Sequence, residues 1–273
     1  VSDQEGYTST RSPDKKIDTY LKNKPRLKTD WENVKKRIGD AIDFLRDEAG
    51  FDSSQFLTAE KTIESLSGYF ERNNIRFRDL FRKRKNFLLK WLYRTIIMGL
   101  YSNTRNFEYD IKGLRDEGRF ELPELNKEQY TKEGIIGVMY AIGRRNEMKD
   151  YEGKKLNWIG KEQGRRIQVD HIYPHSKLTK KPISLDDNLV ENIGNKAFTT
   201  ASTNESKLAK FPGEKIRDNN IHQWLEGEKF LHDKDYERMM SNRSVSRKNI
   251  KKIKKFIIRR KNNVMREIER LIK

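Results

Sequence analysis

The chain has 273 residues, 34% hydrophobic and 37% charged, with a formal net charge of +18; that length suits one large domain or two modest ones and is enough to bury a sizeable core. Four Trp, thirteen Phe and eleven Tyr mark a folded chain rather than a disordered one. The absence of cysteine excludes disulfides, thiolate zinc sites, iron–sulfur clusters and thiol nucleophiles.

A basic balance of this size attracts polyanions, nucleic acid ahead of membrane. The most apolar run, Phe87 to Leu100, is interrupted by Lys90 and Arg94 and falls short of the roughly 20 residues of a spanning helix. No signal peptide is visible at the N-terminus, so a cytoplasmic protein with no membrane partner is expected. The first residue is Val, which reads as a fragment or processed form of something longer.

Residues 1–25 are polar and rich in Gly, Ser, Thr, Pro and Lys, the texture of a linker or arm. Residues 26–150 read as a helical region. Asp30 is placed to cap a first helix with Trp31, Val34, Ile38, Ile42 and Leu45 on one face, stopped by Gly50. A second runs from Ala59 to Arg72 with Ile63, Leu66 and Phe70 inward. Phe77 to Leu100, with Leu88, Leu92 and Ile96 at helical spacing, is the expected centre of the core. Residues 102–130 carry loop chemistry and room for one short helix; Thr131 then caps a helix with Ile135, Met139 and Ile142 inward.

After Gly143 the texture changes. Arg165 to Ile172 reads as a strand and Asn192 to Thr200 as a second, with helix resuming near Thr203. Residues 241–273 hold a basic amphipathic helix with Ile250, Ile253, Ile257, Val264, Ile268 and Leu271 as its stripe; from Arg247 onward twelve Lys and Arg face two Glu. The expected fold class is mainly α (α+β): a helical N-terminal scaffold, a small strand-containing motif and a long basic C-terminal helix.

The chemistry-bearing stretch is Val169-Asp170-His171-Ile172-Tyr173-Pro174-His175-Ser176. Adjacent strand residues point to opposite faces, a rule that relaxes at a strand end, where both groups border one cleft. His171 has the residue type of a general base near neutral pH. Asp170 is a hard oxygen ligand for Mg²⁺ or Mn²⁺, and Asn204, near a helix start, offers a neutral one. Mg²⁺ commonly takes only one or two protein ligands, so this pair suffices. His175 follows His171 by four residues, but Pro174 between them argues against a helical zinc pair. His222 and His232 lack partners at recognisable spacing and read as structural or exposed.

Asp170-His171, Asn195 and Asn204 together resemble the ββα-metal active site of HNH endonucleases. Asn195 to Lys207 reads Asn-Lys-x-x-Thr-x-x-x-x-Asn-x-x-Lys, similar to the HNH domain of RNA-guided CRISPR nucleases. Asn192-Ile193-Gly194-Asn195, then Asn204-Glu205-Ser206-Lys207 and Phe211-Pro212, more closely resemble the C-terminal nuclease domain of GmrSD-type and SspE-type restriction proteins, which act on modified DNA.

The resemblance makes residues 151–240 an HNH nuclease region. It implies that His171 activates water, that Asn195 lies on the second strand and orients His171, that Asp170 and Asn204 hold one divalent ion, Mg²⁺ or Mn²⁺, and that Lys207 contacts phosphate. The expected activity is nicking or hydrolysis of DNA, double-stranded by preference, in restriction or phage defence, with an N-terminal sensor or NTPase domain as partner in a longer parent. Arg165 and Arg166, with Lys251 and Lys255, are the candidate contacts to the DNA backbone. No Walker-type loop occurs in the chain. Two other readings stay open: a nucleic-acid-binding module without catalysis, and a scaffold for that N-terminal domain.

Overall fold

In the computed structural model, which describes residues 27–102, 104–156, 166–181, 183–215, 230 and 247–273, the first helix α1 (Leu27–Asp43) starts ahead of the Asp30 expected to cap it. It runs on into a π turn (Phe44–Glu48). Ala41, Phe44 and Leu45 are its buried apolar residues, whereas Trp31 is 55% and Ile42 45% exposed, correcting the stripe drawn through them. The cause lies at Asp40, whose carboxylate takes an inward place and accepts from Arg76 Nε at 2.7 and 2.8 Å. That phase turns Ile42 outward. Gly50 ends the segment as expected, at φ +81°, where a Cβ would collide with the carbonyl oxygen of Ala141.

Helices α2 (Lys61–Arg72) and α3 (Arg82–Ile97) form the centre of the core, with Leu66, Phe70, Trp91, Leu92 and Ile96 fully buried. The Trp91 ring stacks on Phe120 at 4.0 Å between centroids. Residues 104–117 are one full helix, α4, rather than a short one. Its only buried residues are Asp110 and Leu114, too few to show as a periodic stripe in the sequence. Helix α5 (Lys132–Arg145) begins at Thr131, whose hydroxyl accepts from Gly134 N at 3.0 Å. It buries Val138 to Ile142 against α3 and the 54–56 turn. Residues 1–25, Arg165, His222 and His232 lie outside the described residues.

Asp110 is a carboxyl deep in this helical core. Its Oδ2 accepts from Tyr101 at 2.6 Å and Trp91 Nε1 at 3.2 Å. Burial raises its pKa, against the lowering effect of these two hydrogen bonds. A carboxyl raised in the folded state binds its proton more tightly there than in the unfolded chain. Its contribution is therefore most favourable at low pH and is lost as pH rises through the folded pKa. Asp110→Asn keeps an acceptor for Tyr101 and Trp91 and removes the ionisation. Thermal melts of the variant should exceed those of the parent at neutral pH, by a margin that closes toward pH 4.

The sheet has two antiparallel strands, β1 (Ile167–His171) and β2 (Lys196–Thr200), in the register Ile167↔Thr200 through His171↔Lys196. One face carries Ile167, Val169 and Phe198 into the helical core; the rings of Phe56 and Tyr140 each meet Phe198 at 5.4 Å. Helix α8 (Ala201–Lys207) follows β2 without a loop, capped by Thr200. Between the strands lie two short helices, α6 (His175–Leu178) and α7 (Asp187–Val190), and a 3-10 turn at Ile193–Asn195. A further short helix, α9 (Pro212–Lys215), follows.

The C-terminal helix α10 (Arg247–Ile272) joins the parts. Ile253, Phe256 and Ile257 pack on a second apolar cluster around Ile172, Tyr173 and Ala197. Val264, Ile268 and Ile272 pack on the helical core. Arg260, 1% exposed, turns inward and donates through Nη1 to the carbonyls of Lys196 (2.6 Å), Ile193 (3.1 Å) and Gly194 (3.3 Å). No described helix is long and apolar enough to cross a membrane.

Candidate active site

The site is assembled by the β1–β2–α8 unit. The register is unbroken to His171, so alternation places Gln168 and Asp170 on one face of β1 and His171 on the other. Asp170 and His171 therefore share a strand end but leave it in opposite directions, and the single cleft expected for them is corrected to two adjoining sides of one strand.

On the α8 side, Asn204 Nδ2 donates to Gln168 Oε1 at 2.8 Å, which leaves its carbonyl oxygen for another partner. Lys207, in the last turn of α8, reaches back to β1. Its ammonium donates to Asp170 Oδ2 and to the carbonyl of His171, with the Tyr151 ring at 5.1 Å. The side chain is 1% exposed, so the phosphate contact implied for Lys207 is corrected to an internal one. Burial lowers its pKa and Asp170 opposes that. Asp150, fully buried, accepts from Thr200 Oγ1 (2.9 Å) and Thr203 Oγ1 (2.6 Å) and fixes the turn from β2 into α8.

The donor chemistry suits a hard divalent ion: one carboxylate and one amide carbonyl on neighbouring elements. No group of three or more His, Cys, Asp or Glu side chains that could hold a metal occurs among the described residues. An ion here would rest on Asp170 and Asn204, with Lys207 competing for the same carboxylate.

On the other side, His171 Nε2 lies 2.7 Å from Glu191 Oε1 and 2.6 Å from Lys196 Nζ. Glu191 Oε2 accepts from Lys196 Nζ at 2.8 Å and from Lys132 Nζ at 3.2 Å. Burial lowers the His171 pKa, Lys196 adds to this, and Glu191 and Asp170 oppose it. The net effect favours the uncharged ring. Burial alone would raise the Glu191 carboxyl; hydrogen bonds from Lys196, His171 and Lys132 outweigh it and hold the group down at about 2. The His175 ring stands 5.5 Å from that of His171 and bonds to Asp187 at 2.7 Å.

Asn195 ends the 3-10 turn just before β2 rather than lying on the strand. Its fully buried amide is spent on backbone: Oδ1 accepts from Tyr173 N (2.9 Å), and Nδ2 donates to Tyr173 O (3.1 Å) and Val190 O (2.9 Å). The direct contact to His171 implied for it is thus replaced by Glu191 and Lys196. Lys196 was within reach of the sequence, because antiparallel pairing of the two predicted strands puts it opposite His171. Glu191 sits in a stretch without pattern and carried no such signal. Arg166, Lys251 and Lys255 are exposed. No family model, curated protein or solved structure matches the chain.

Proposed function

We propose that this chain is a metal-dependent endonuclease that nicks or hydrolyses DNA, in the manner of HNH nucleases. The observation that carries the reading is the β1–β2–α8 unit, in which the helix follows the second strand without a loop. It sets two oxygen donors, Asp170 and Asn204, beside the strand end that carries His171. His171 takes the proton of the attacking water as that oxygen bonds to phosphorus and the bond to the 3′-oxygen breaks. Asp170 and Asn204 would hold one Mg²⁺ or Mn²⁺, which stabilises charge on the phosphate and the leaving oxygen when bound. Lys251, Lys252, Lys254 and Lys255 line the exposed side of α10 and have no ion-pair partner among the described residues. They supply phosphate-tracking charge, so affinity should fall steeply with salt. Restriction or defence against modified DNA, with an N-terminal sensor or NTPase domain, belongs to the same proposal and rests on the sequence resemblance.

A second reading is favoured by Lys207. An ammonium already neutralising Asp170 is what a nucleic-acid-binding module without catalysis would contain. Supercoiled plasmid incubated with Mg²⁺ or Mn²⁺ separates the two. The nuclease accumulates open-circular DNA, is silenced by chelator, and loses activity in Asp170→Asn and Asn204→Ala. Salt-sensitive binding with no nicking under either ion would leave only the binding module.

A further inference from the structure

We propose that Glu191 is the positioning residue for His171: it holds the Nε2 proton, so that Nδ1 is the basic nitrogen of the ring. The ring geometry stands by itself, and only its effect on rate rests on the nuclease reading.

An imidazole nitrogen has a single in-plane direction, filled by a proton or by a lone pair. Two groups claim that direction at Nε2. Glu191 Oε1, at 2.7 Å, accepts only and requires Nε2–H. Lys196 Nζ, at 2.6 Å, donates as an ammonium and requires a lone pair there. The two demands select opposite tautomers, and only the first leaves Nδ1 able to take a proton.

Glu191 prevails because it has no substitute donor for Oε1 as close as the ring; His175 Nε2 stands at 3.8 Å. With a lone pair at Nε2 its carboxylate would face another negative centre. Lys196 has an alternative, since its N–H groups also reach Glu191 Oε2 at 2.8 Å. Lys132 holds that same oxygen from α5, so the carboxylate is clamped from its far side. Nδ1 of His171 has no hydrogen-bond partner among the described residues. It is the nitrogen left to meet a water. Asn195 is not available for this task, because its amide is consumed by Tyr173 and Val190.

Imidazole nitrogen shifts of the uniformly ¹⁵N-labelled full chain, free of metal, read the tautomer directly, with His171 identified by its loss in His171→Gln. The parent and Lys196→Met should show Nε2–H. Glu191→Ala should convert the ring to Nδ1–H, with Lys196 donating to Nε2, and plasmid nicking should fall about 100-fold. Adding Lys196→Met to Glu191→Ala should restore part of both the Nε2–H population and the rate, a rescue that a merely structural role for Glu191 would not produce. Glu191 lies at the surface edge, 34% exposed, so its truncation leaves the core untouched. Retention of Nε2–H in Glu191→Ala, or its loss in Lys196→Met, overturns the assignment. The expected tautomers without nicking in any variant uphold the assignment and overturn the nuclease reading.

Discussion

His171→Ala should lower plasmid nicking by roughly 10²- to 10⁴-fold, the span over which a positioned general base contributes. Affinity for DNA should stay at the parent's level. The separation is expected because the two tasks sit on different elements. The imidazole stands at the end of β1, whereas the exposed lysines at positions 251, 252, 254 and 255 lie on α10. The loss should fall on kcat, with KM unchanged, as for a group whose interaction strengthens only in the transition state. His171 is partly exposed and its ring bonds to Glu191 and Lys196 at the strand end, so its removal should leave the melting temperature nearly unchanged. Nicking of similar rate in parent and variant would remove His171 from the mechanism.

Gly194→Ala should destabilise the fold by about 3 kcal/mol, the upper range for forced overpacking. A Cβ there would fall on the carbonyl oxygen of Ile257 and lie 2.8 Å from its carbon and 2.9 Å from Lys261 N. These are backbone atoms of α10 and cannot rotate aside. The helix would have to back away, drawing Arg260 from the carbonyls of Ile193, Gly194 and Lys196. For a chain of this length the loss corresponds to a fall of roughly 6–12 °C in melting temperature, readable by calorimetry. Because Lys196 pairs with His171 across the sheet, the same change should disturb the histidine, and nicking should fall with stability. A melt indistinguishable from the parent's would mean that α10 yields at this point.

The elements legible in the sequence are those whose signals are local. Thr131 announces its helix because its hydroxyl and the following apolar positions act within one turn. The basic helix from Arg247 is plain from its stripe, and the strands around Asp170 and Phe198 from their β-branched and aromatic residues. The full length of helix α4 was not legible, because it buries too little to impose a period. At the site, residue types and spacing marked Asp170, His171, Asn195 and Asn204. Their partners depend on tertiary geometry. Which face of β1 each side chain leaves by follows from a register that only pairing defines. Lys207 reads as a surface cation by type, yet its stem spans from α8 to β1 and its charge is spent indoors. Glu191 meets His171 across twenty positions of chain that carry no periodic pattern.

The amide of Asn195 bears on how such a site tolerates change in its own sequence. By gripping Tyr173 on both sides and Val190 with the same nitrogen, it fastens the start and the finish of the excursion between the strands to one point. What lies between has anchors of its own, Leu178 and Leu185 in the second apolar cluster. Lengthening a tethered loop is cheap, about 0.6 kcal/mol for each doubling. An insertion in the exposed stretch at Lys180 and Lys181 should therefore leave His171 and Glu191 in register.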